Sequence, residues 1–335
     1  MFTKIHYQTT DLNYINEVNQ FINDWFNEDE FIFSLTSGST GKPKKVKLPK
    51  KYLRKSARMT GDFFGFTEND TLLLSLPIFG IGGKMIIIRA IEFNCKLIVV
   101  SPQFNPLLEL KKQSIKIISL VPYQISKILE TNPEVLNNID FILIGGAPIN
   151  SIIKNKIKSI KCRVFETFGM TETYSHIGLK EINKEDCFTV FKDINISEND
   201  GCLAIKAPSL GIINLITNDI VKVIDNKCFE WLGRKDFVIN SGGIKLHPEL
   251  IEKKIENIIN TPFFITKEND LKLGEIVVLI IETKTIDTNS LKKLLKEVLD
   301  QFEIPKKIYT ISKFVYTQTQ KINKIDTLKK IQIDQ

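Results

Sequence analysis

Between residues 71 and 168 two hydrophobic patterns alternate. Runs that are apolar at nearly every position occupy 71–76, 96–100, 115–121, 141–144 and 164–168, and each predicts a strand. The intervening stretches 83–93, 106–112, 123–130 and 150–159 have helical spacing. Continuously apolar strands separated by helices imply a parallel sheet covered on both faces. Ahead of this region, Ile15, Val18, Phe21 and Ile22 predict a short amphipathic helix packed on the main body. After it, residues 188–232 carry short β patterns at 202–205, 212–216 and 220–224, which predict a small β subdomain. Beyond Gly233-Arg234-Lys235-Asp236 lie a helix at 248–259, a strand at 275–281 and a helix at 291–302. In that last helix Leu291, Leu294, Leu295, Val298, Leu299 and Phe302 form one stripe, and Pro305 follows its end. The expected architecture is α/β: a doubly wound parallel sheet with a small β subdomain in residues 1–235, then a small α+β domain in residues 236–335.

Composition narrows the class without naming a chemistry. The 335 residues are 43% hydrophobic and 25% charged, as in an ordinary globular protein large enough for two domains. The net charge of +7 raises the question of nucleic acid, but the lysines are spread along the chain and no aromatic-interleaved basic platform occurs. The five cysteines are odd in number and lack C-x-x-C spacing, so neither a disulfide framework nor a zinc site is expected. No apolar run approaches the length of a membrane span and no basic-then-apolar leader is visible, which points to a cytosolic protein.

The chemistry is concentrated in a few polar stretches. Thr36-Ser37-Gly38-Ser39-Thr40-Gly41-Lys42-Pro43-Lys44 packs four hydroxyls, two glycines and two lysines between apolar runs that read as strands. Glycine lets backbone N–H groups converge, hydroxyls donate to phosphate oxygens and lysine supplies charge. The spacing is not that of a P-loop, because proline follows Lys42 and no helix pattern opens there. A plain polar hairpin loop is the alternative. Two further stretches fall at predicted strand ends, where open parallel sheets bind ligands: Gly145-Gly146-Ala147-Pro148 and Phe168-Gly169-Met170-Thr171-Glu172-Thr173.

The T-S-G-S-T-G-x-P-K pattern resembles the phosphate loop of the acyl-adenylate-forming superfamily, and the other stretches follow in the family's order. Phe168–Thr173 resembles Y-G-M-T-E-T, with Phe168 in place of tyrosine. Thr217-Asn218-Asp219 is similar to its T-x-D motif, and residues 233–245 are similar to its G-R-x-D stretch ending in a double glycine. Thr319-Gln320-Lys321-Ile322-Asn323-Lys324 resembles T-x-G-K-I-x-R, with Gln320 replacing glycine and Lys324 replacing arginine. The resemblance implies ATP, Mg²⁺ and CoA as small molecules, with a carboxylic acid as the group activated. It implies that Thr36, Ser37, Gly38, Ser39, Thr40, Gly41, Gly145, Gly146, Phe168, Asp219 and Arg234 bind ATP. Thr171, Glu172, Lys44 and Lys321 are then the catalytic residues, with Glu172 also the Mg²⁺ ligand. Asp236 becomes the hinge of a mobile C-terminal domain, and Gly242 with Gly243 would line the thiol tunnel. The family's usual subdomain ahead of the phosphate loop is nearly absent, and Gly80 stands where many members carry a histidine or aromatic gate.

Within the superfamily, the stretches 76–79, 119–122 and 144–149 look most like O-succinylbenzoate–CoA ligases, whose acid keeps a second carboxylate. Another acyl-CoA ligase, a carrier-loading adenylation domain and an inactive nucleotide-binding module are the alternatives, and association with further copies of the chain is left open. For the acid, the candidates are Arg89, Lys84 and His176. Lys84 and Arg89 lie on one helix but point roughly 140° apart. Arg89 is favoured because its fork matches a carboxylate. The competing reading pairs Arg89 with a structural acid or with solvent.

Overall fold

The computed structural model describes residues 2–35, 44–108, 110–317 and 322–333. Its main body is a twelve-stranded sheet. The first six strands from one edge are parallel: β1 (Ile5–Tyr7), β5 (Lys96–Val99), β4 (Thr71–Leu74), β6 (Ile115–Leu120), β7 (Ile139–Ile144) and β8 (Arg163–Met170). The sheet continues antiparallel through β9 (Ser175–Glu181), β10 (Phe188–Val190), β14 (Cys228–Arg234), β13 (Ile212–Val223), β12 (Cys202–Ala207) and β11 (Asn195–Asn199). The small β region is therefore joined edge to edge with the parallel sheet.

Alternation along the strands builds two cores. Leu72 and Leu74 face one side with α1 (Leu12–Phe26), α2 (Lys50–Phe64) and α3 (Ile81–Glu92). Leu73 faces the other side with α4 (Pro122–Thr131) and α5 (Ser151–Ile157). All three leucines are fully buried, which is why that run reads as continuously apolar. The N-terminal helix expected around residues 15–22 is α1, whose buried stripe is Tyr14, Val18, Phe21, Ile22 and Trp25. Its start is fixed by Asp11, whose carboxylate accepts the Tyr14 N–H at 3.1 Å. Strands β2 (Phe31–Leu35) and β3 (Lys45–Pro49) pair antiparallel on either side of the hydroxyl-rich loop.

A second sheet, in the order β16 (Ile244–Leu246), β15 (Ile239–Ser241), β18 (Gly274–Glu282) and β17 (Phe263–Asp270), carries β19 (Lys307–Ile311) parallel to β18. With α6 (Pro248–Ile255), α7 (Thr288–Val298) and α8 (Lys324–Ile333) it forms two cores of residues from Ile239 onward. Among the described residues, the cores of the large sheet take no buried residue beyond Phe229.

Three expectations need correction. Residues 106–108 form a turn rather than a helix, with Pro106 and Leu107 buried, Leu107 in the core on the α4 side, and Leu108 exposed. The helix expected at 291–302 is α7, which ends at Val298, and its stripe is only half used: Leu291 and Leu295 are buried, as is Leu299 just past the end, while Leu294 and Val298 are exposed along with Phe302 beyond it. Cys187 and Cys228 form a disulfide, because β10 and β14 are neighbours and bring their ends to a Cα separation of 6.1 Å. An odd cysteine count does not exclude one bridge. Among the described residues no helix is long and apolar enough to cross a membrane.

Candidate active site

The carboxyl end of β8 is held against β9 by an unusually close approach. A Cβ on Gly169 would lie 2.3 Å from the Ser175 carbonyl oxygen and 2.4 Å from His176 Cα, so glycine is required there. A single 3₁₀ turn, Thr171–Thr173, then reverses the chain. The Thr173 hydroxyl accepts the Met170 N–H at 2.9 Å and donates to the Ser175 carbonyl at 2.7 Å, which pins the turn. Thr171 is buried and Glu172 is exposed at the strand end. Just past the end of the adjacent β7, a Cβ on Gly145 would meet the Thr167 hydroxyl at 2.6 Å, while Gly146 is exposed. The half-buried Phe168 ring meets Phe229 edge-on at 5.0 Å and Phe188 at 5.8 Å.

Thr217, Asn218 and Asp219 lie inside the long strand β13 rather than at a turn between two strands. The register pairs Asp219 with Arg234 on β14. Asp219 is buried, its carboxylate accepts the Trp231 indole N–H at 2.9 Å, and its own N–H is taken by the Thr217 hydroxyl. Arg234 donates to Asp236 at 3.1 Å, and Asn218 donates to the other Asp236 oxygen at 2.6 Å. The Arg234 Nε is buried with no partner among the described residues.

On the α3 side of the same strand end sits a buried cation. Arg89 is 2% exposed and donates to the Ser175 hydroxyl at 2.9 Å, and its Nε has no partner among the described residues. No carboxylate pairs with it in the described chain, and burial lowers its pKa to about 9. His176 lies beside it, with Nε2 3.0 Å from the Thr60 hydroxyl. Burial, and secondarily the Arg89 charge, hold the imidazole well below its ordinary pKa, so it is neutral. Lys84 turns away as its helical offset requires: its ammonium donates to the Ile78 carbonyl and sits 5.6 Å over the Phe21 ring, with its pKa lowered to about 8 by burial.

Residues 8–198, more than half the chain, match the family described as AMP-binding enzyme. The chain belongs to the AMP-binding enzyme family. This AMP-binding enzyme is 32% identical to a solved protein from Dyadobacter fermentans described as acyl-CoA synthetase (AMP-forming)/AMP-acid ligase II-like, covering 96% of this chain and 95% of that one with a TM-score of 0.64. It is 27% identical to the 2-succinylbenzoate–CoA ligase of Listeria monocytogenes, over 86% of this chain and 68% of the relative. The O-succinylbenzoate coenzyme A synthetase of Bacillus subtilis, solved with ATP and magnesium, shares the fold at a TM-score of 0.77 and 22% identity, over 88% of this chain and 69% of that one.

The remaining candidates of this AMP-binding enzyme fall in several places. Thr36, Ser37, Gly38, Ser39, Thr40, Gly41 and Lys321 lie outside the described residues, and Lys44 is exposed just before β3. Gly242 and Gly243 form the exposed turn between β15 and β16 with positive φ at both, and among the described residues nothing lies within 4 Å of a Cβ on Gly243. Glycine is thus required at both positions by the turn conformation. Glu172 supplies one exposed, hard carboxylate, and no cluster of three acidic, histidine or cysteine ligands occurs among the described residues. That donor set fits a Mg²⁺ that arrives on a nucleotide, because such an ion takes one or two carboxylates with phosphate oxygens and water. Sequence reasoning missed Ser175, Thr60 and Trp231. Trp231 had a signal, being three residues before Arg234, whereas Ser175 and Thr60 had none.

Proposed function

We propose that this chain is an AMP-forming acid–CoA ligase whose acid is 2-succinylbenzoate or a close aryl dicarboxylate. The observation that carries the choice of acid is the buried Arg89, which lacks a carboxylate partner in the described protein and lies next to Ser175 and His176 at the end of β8. A guanidinium held dry and unpaired is costly unless an anion completes it. A substrate that keeps a second carboxylate would do so, with Ser175 and the neutral His176 giving the pocket no competing charge.

In this reading the ribose hydroxyls donate to Asp219, which Trp231 holds rigid, and Arg234 reaches the same sugar. Phe168 and the 145–146 backbone flank the adenine. The substrate carboxylate attacks the α-phosphorus: a new O–P bond forms, the bond to pyrophosphate breaks, and no proton moves. Thr171, Lys44 and Lys321 would donate to the oxygens on which charge builds, and preorganised donors of this kind supply most of the barrier reduction in phosphoryl chemistry. Mg²⁺, held by Glu172 and the phosphates, would neutralise the leaving pyrophosphate. Residues 236–335 would then turn about Asp236 relative to residues 1–235. A thiol attacks the activated carbonyl, AMP leaves with the bonding pair, and the thiol proton goes to solvent.

The test is acid-dependent exchange of pyrophosphate into ATP over a panel of acids, followed by AMP release with and without CoA. Exchange restricted to aryl acids that bear a second carboxylate, with CoA-dependent turnover, is the expected result. Exchange without any response to CoA would point to a protein thiol as acceptor, and no exchange with any acid would sink the reading.

A further inference from the structure

Helix α6 is placed like a lever between two parts of the molecule. At its first turn Glu249 lies against the 233–237 stretch, where a Cβ on Gly233 would meet its carboxylate at 2.4 Å. Ile251 and Ile255 fix the helix in the C-terminal core. Just past its last residue, Glu256 accepts the Ser151 N–H at 3.0 Å, and Asn257 accepts the Ser151 hydroxyl at 2.8 Å. Ser151 opens α5 directly behind the 145–150 stretch that carries Gly145 and Gly146. These bonds join residues more than a hundred positions apart, across the two sheets. Eight residues of helix separate the two contacts by roughly 12 Å, so a rotation of only about 10° about the 233–237 stretch moves the far end by roughly 2 Å and breaks both bonds.

Two observations identify the pose being held. The Gly242–Gly243 turn is exposed. Tyr316, which bridges to Ile322, lies near Tyr123 at the start of α4. The Tyr316–Ile322 bridge thus lies on the side of the strands' carboxyl ends, while the double glycine is left exposed.

We propose that Glu256 and Asn257 are positioning residues that clasp Ser151 and hold the C-terminal unit in the pose for adenylate formation, releasing it for the thiol step. The inference rests on the two-step reading above. Because the clasp joins the stretch behind Gly145–Gly146, occupancy of the adenine side and the pose of the C-terminal unit are coupled through one serine.

The experiment compares the full chain with Glu256→Ala/Asn257→Ala and with Glu256→Gln, which retains an acceptor. Pyrophosphate exchange and the reaction of supplied acyl-adenylate with CoA are assayed separately. Trypsin cleavage after Arg234 and Lys235 is followed without substrates, and a melting curve checks folding. The double variant should lose about tenfold in exchange, as expected when the competent pose falls to a tenth of the population. Its thiol half-reaction should be unchanged or faster, Glu256→Gln should recover part of the exchange, and cleavage at the hinge should rise several-fold at an unchanged melting temperature. Equal losses in both half-reactions would overturn the clasp, as would unchanged cleavage in a folded double variant. If the unmodified protein shows no exchange with any acid while cleavage still rises in the double variant, the clasp stands as a conformational restraint and only the proposed reaction fails.

Discussion

Replacing Arg89 by methionine separates stability from substrate recognition in opposite directions. The guanidinium is 2% exposed, bonded to Ser175, and without a carboxylate among the described residues. Burial brings its pKa down to about 9, a lowering equivalent to roughly 4–5 kcal/mol against carrying the charge inside the fold. Because the folded value lies below the unfolded one, that penalty is fully present below pH 9 and fades only as the pH rises above it. Methionine fills much of the same volume, and exchanging a buried charge for an apolar residue is often neutral or stabilising by about 1–4 kcal/mol. Ser175 loses one partner, at about 1 kcal/mol. Arg89→Met should therefore melt no lower than the unmodified protein at pH 7.5, and by this reckoning a few degrees higher. Its kcat/KM for the dicarboxylate acid should fall about 10- to 150-fold, the loss of a charge-assisted hydrogen bond worth about 1.5–3 kcal/mol, with the KM for ATP unchanged. The acid should raise the melting temperature of the unmodified protein and leave that of the variant alone. A variant that melts lower and uses the acid as before would refute the reasoning, because Arg89 would then be a structural cation.

Two other outcomes follow from the same geometry. Followed by NMR, His176 should titrate well below the ordinary imidazole value, and Arg89→Met should raise its pKa while leaving it below that value, since burial outweighs the Arg89 charge. Stability linked to His176 should be full above about pH 6.5 and decline as the pH falls below it, where only the unfolded chain binds the proton; a His176 titrating at its ordinary value would contradict this. Cys228→Ser should lower unfolding stability by up to about 4 kcal/mol, the loop-closure value for the separation of 41 residues, and reductant should do the same to the unmodified protein and nothing to the variant. A melting curve indifferent to reductant would dismiss the bridge.

What could be read from the sequence follows from burial. Strands β4 to β8 are packed on both faces, so Leu72, Leu73 and Leu74 had to be apolar together and the runs stood out to within a few residues. Strand β1 escaped notice because Ile5-His6-Tyr7 is an edge of three residues with little of it buried. Within β13, Thr217-Asn218-Asp219 carries turn-forming residues, yet the strand runs through them because Asp219 is satisfied by Trp231 across the ladder. The 140° offset separates Lys84 from Arg89, but the partner that Arg89 meets, Ser175, is supplied by β9, which periodicity cannot show. For the same reason the pairing of Cys187 with Cys228, and the meeting of Ser151 with Glu256, depend on which elements become neighbours in space.

The central claim is that one cleft activates an aryl dicarboxylate on ATP and passes it to CoA. The most direct test is to incubate the purified chain with 2-succinylbenzoate, ATP, Mg²⁺ and CoA and to quantify the products by mass spectrometry. The account predicts a monothioester of 2-succinylbenzoate in equal amount with AMP, with the free acyl-adenylate accumulating when CoA is withheld. Thioester formed with ADP instead of AMP, or no acyl-adenylate from any aryl dicarboxylate, would contradict it.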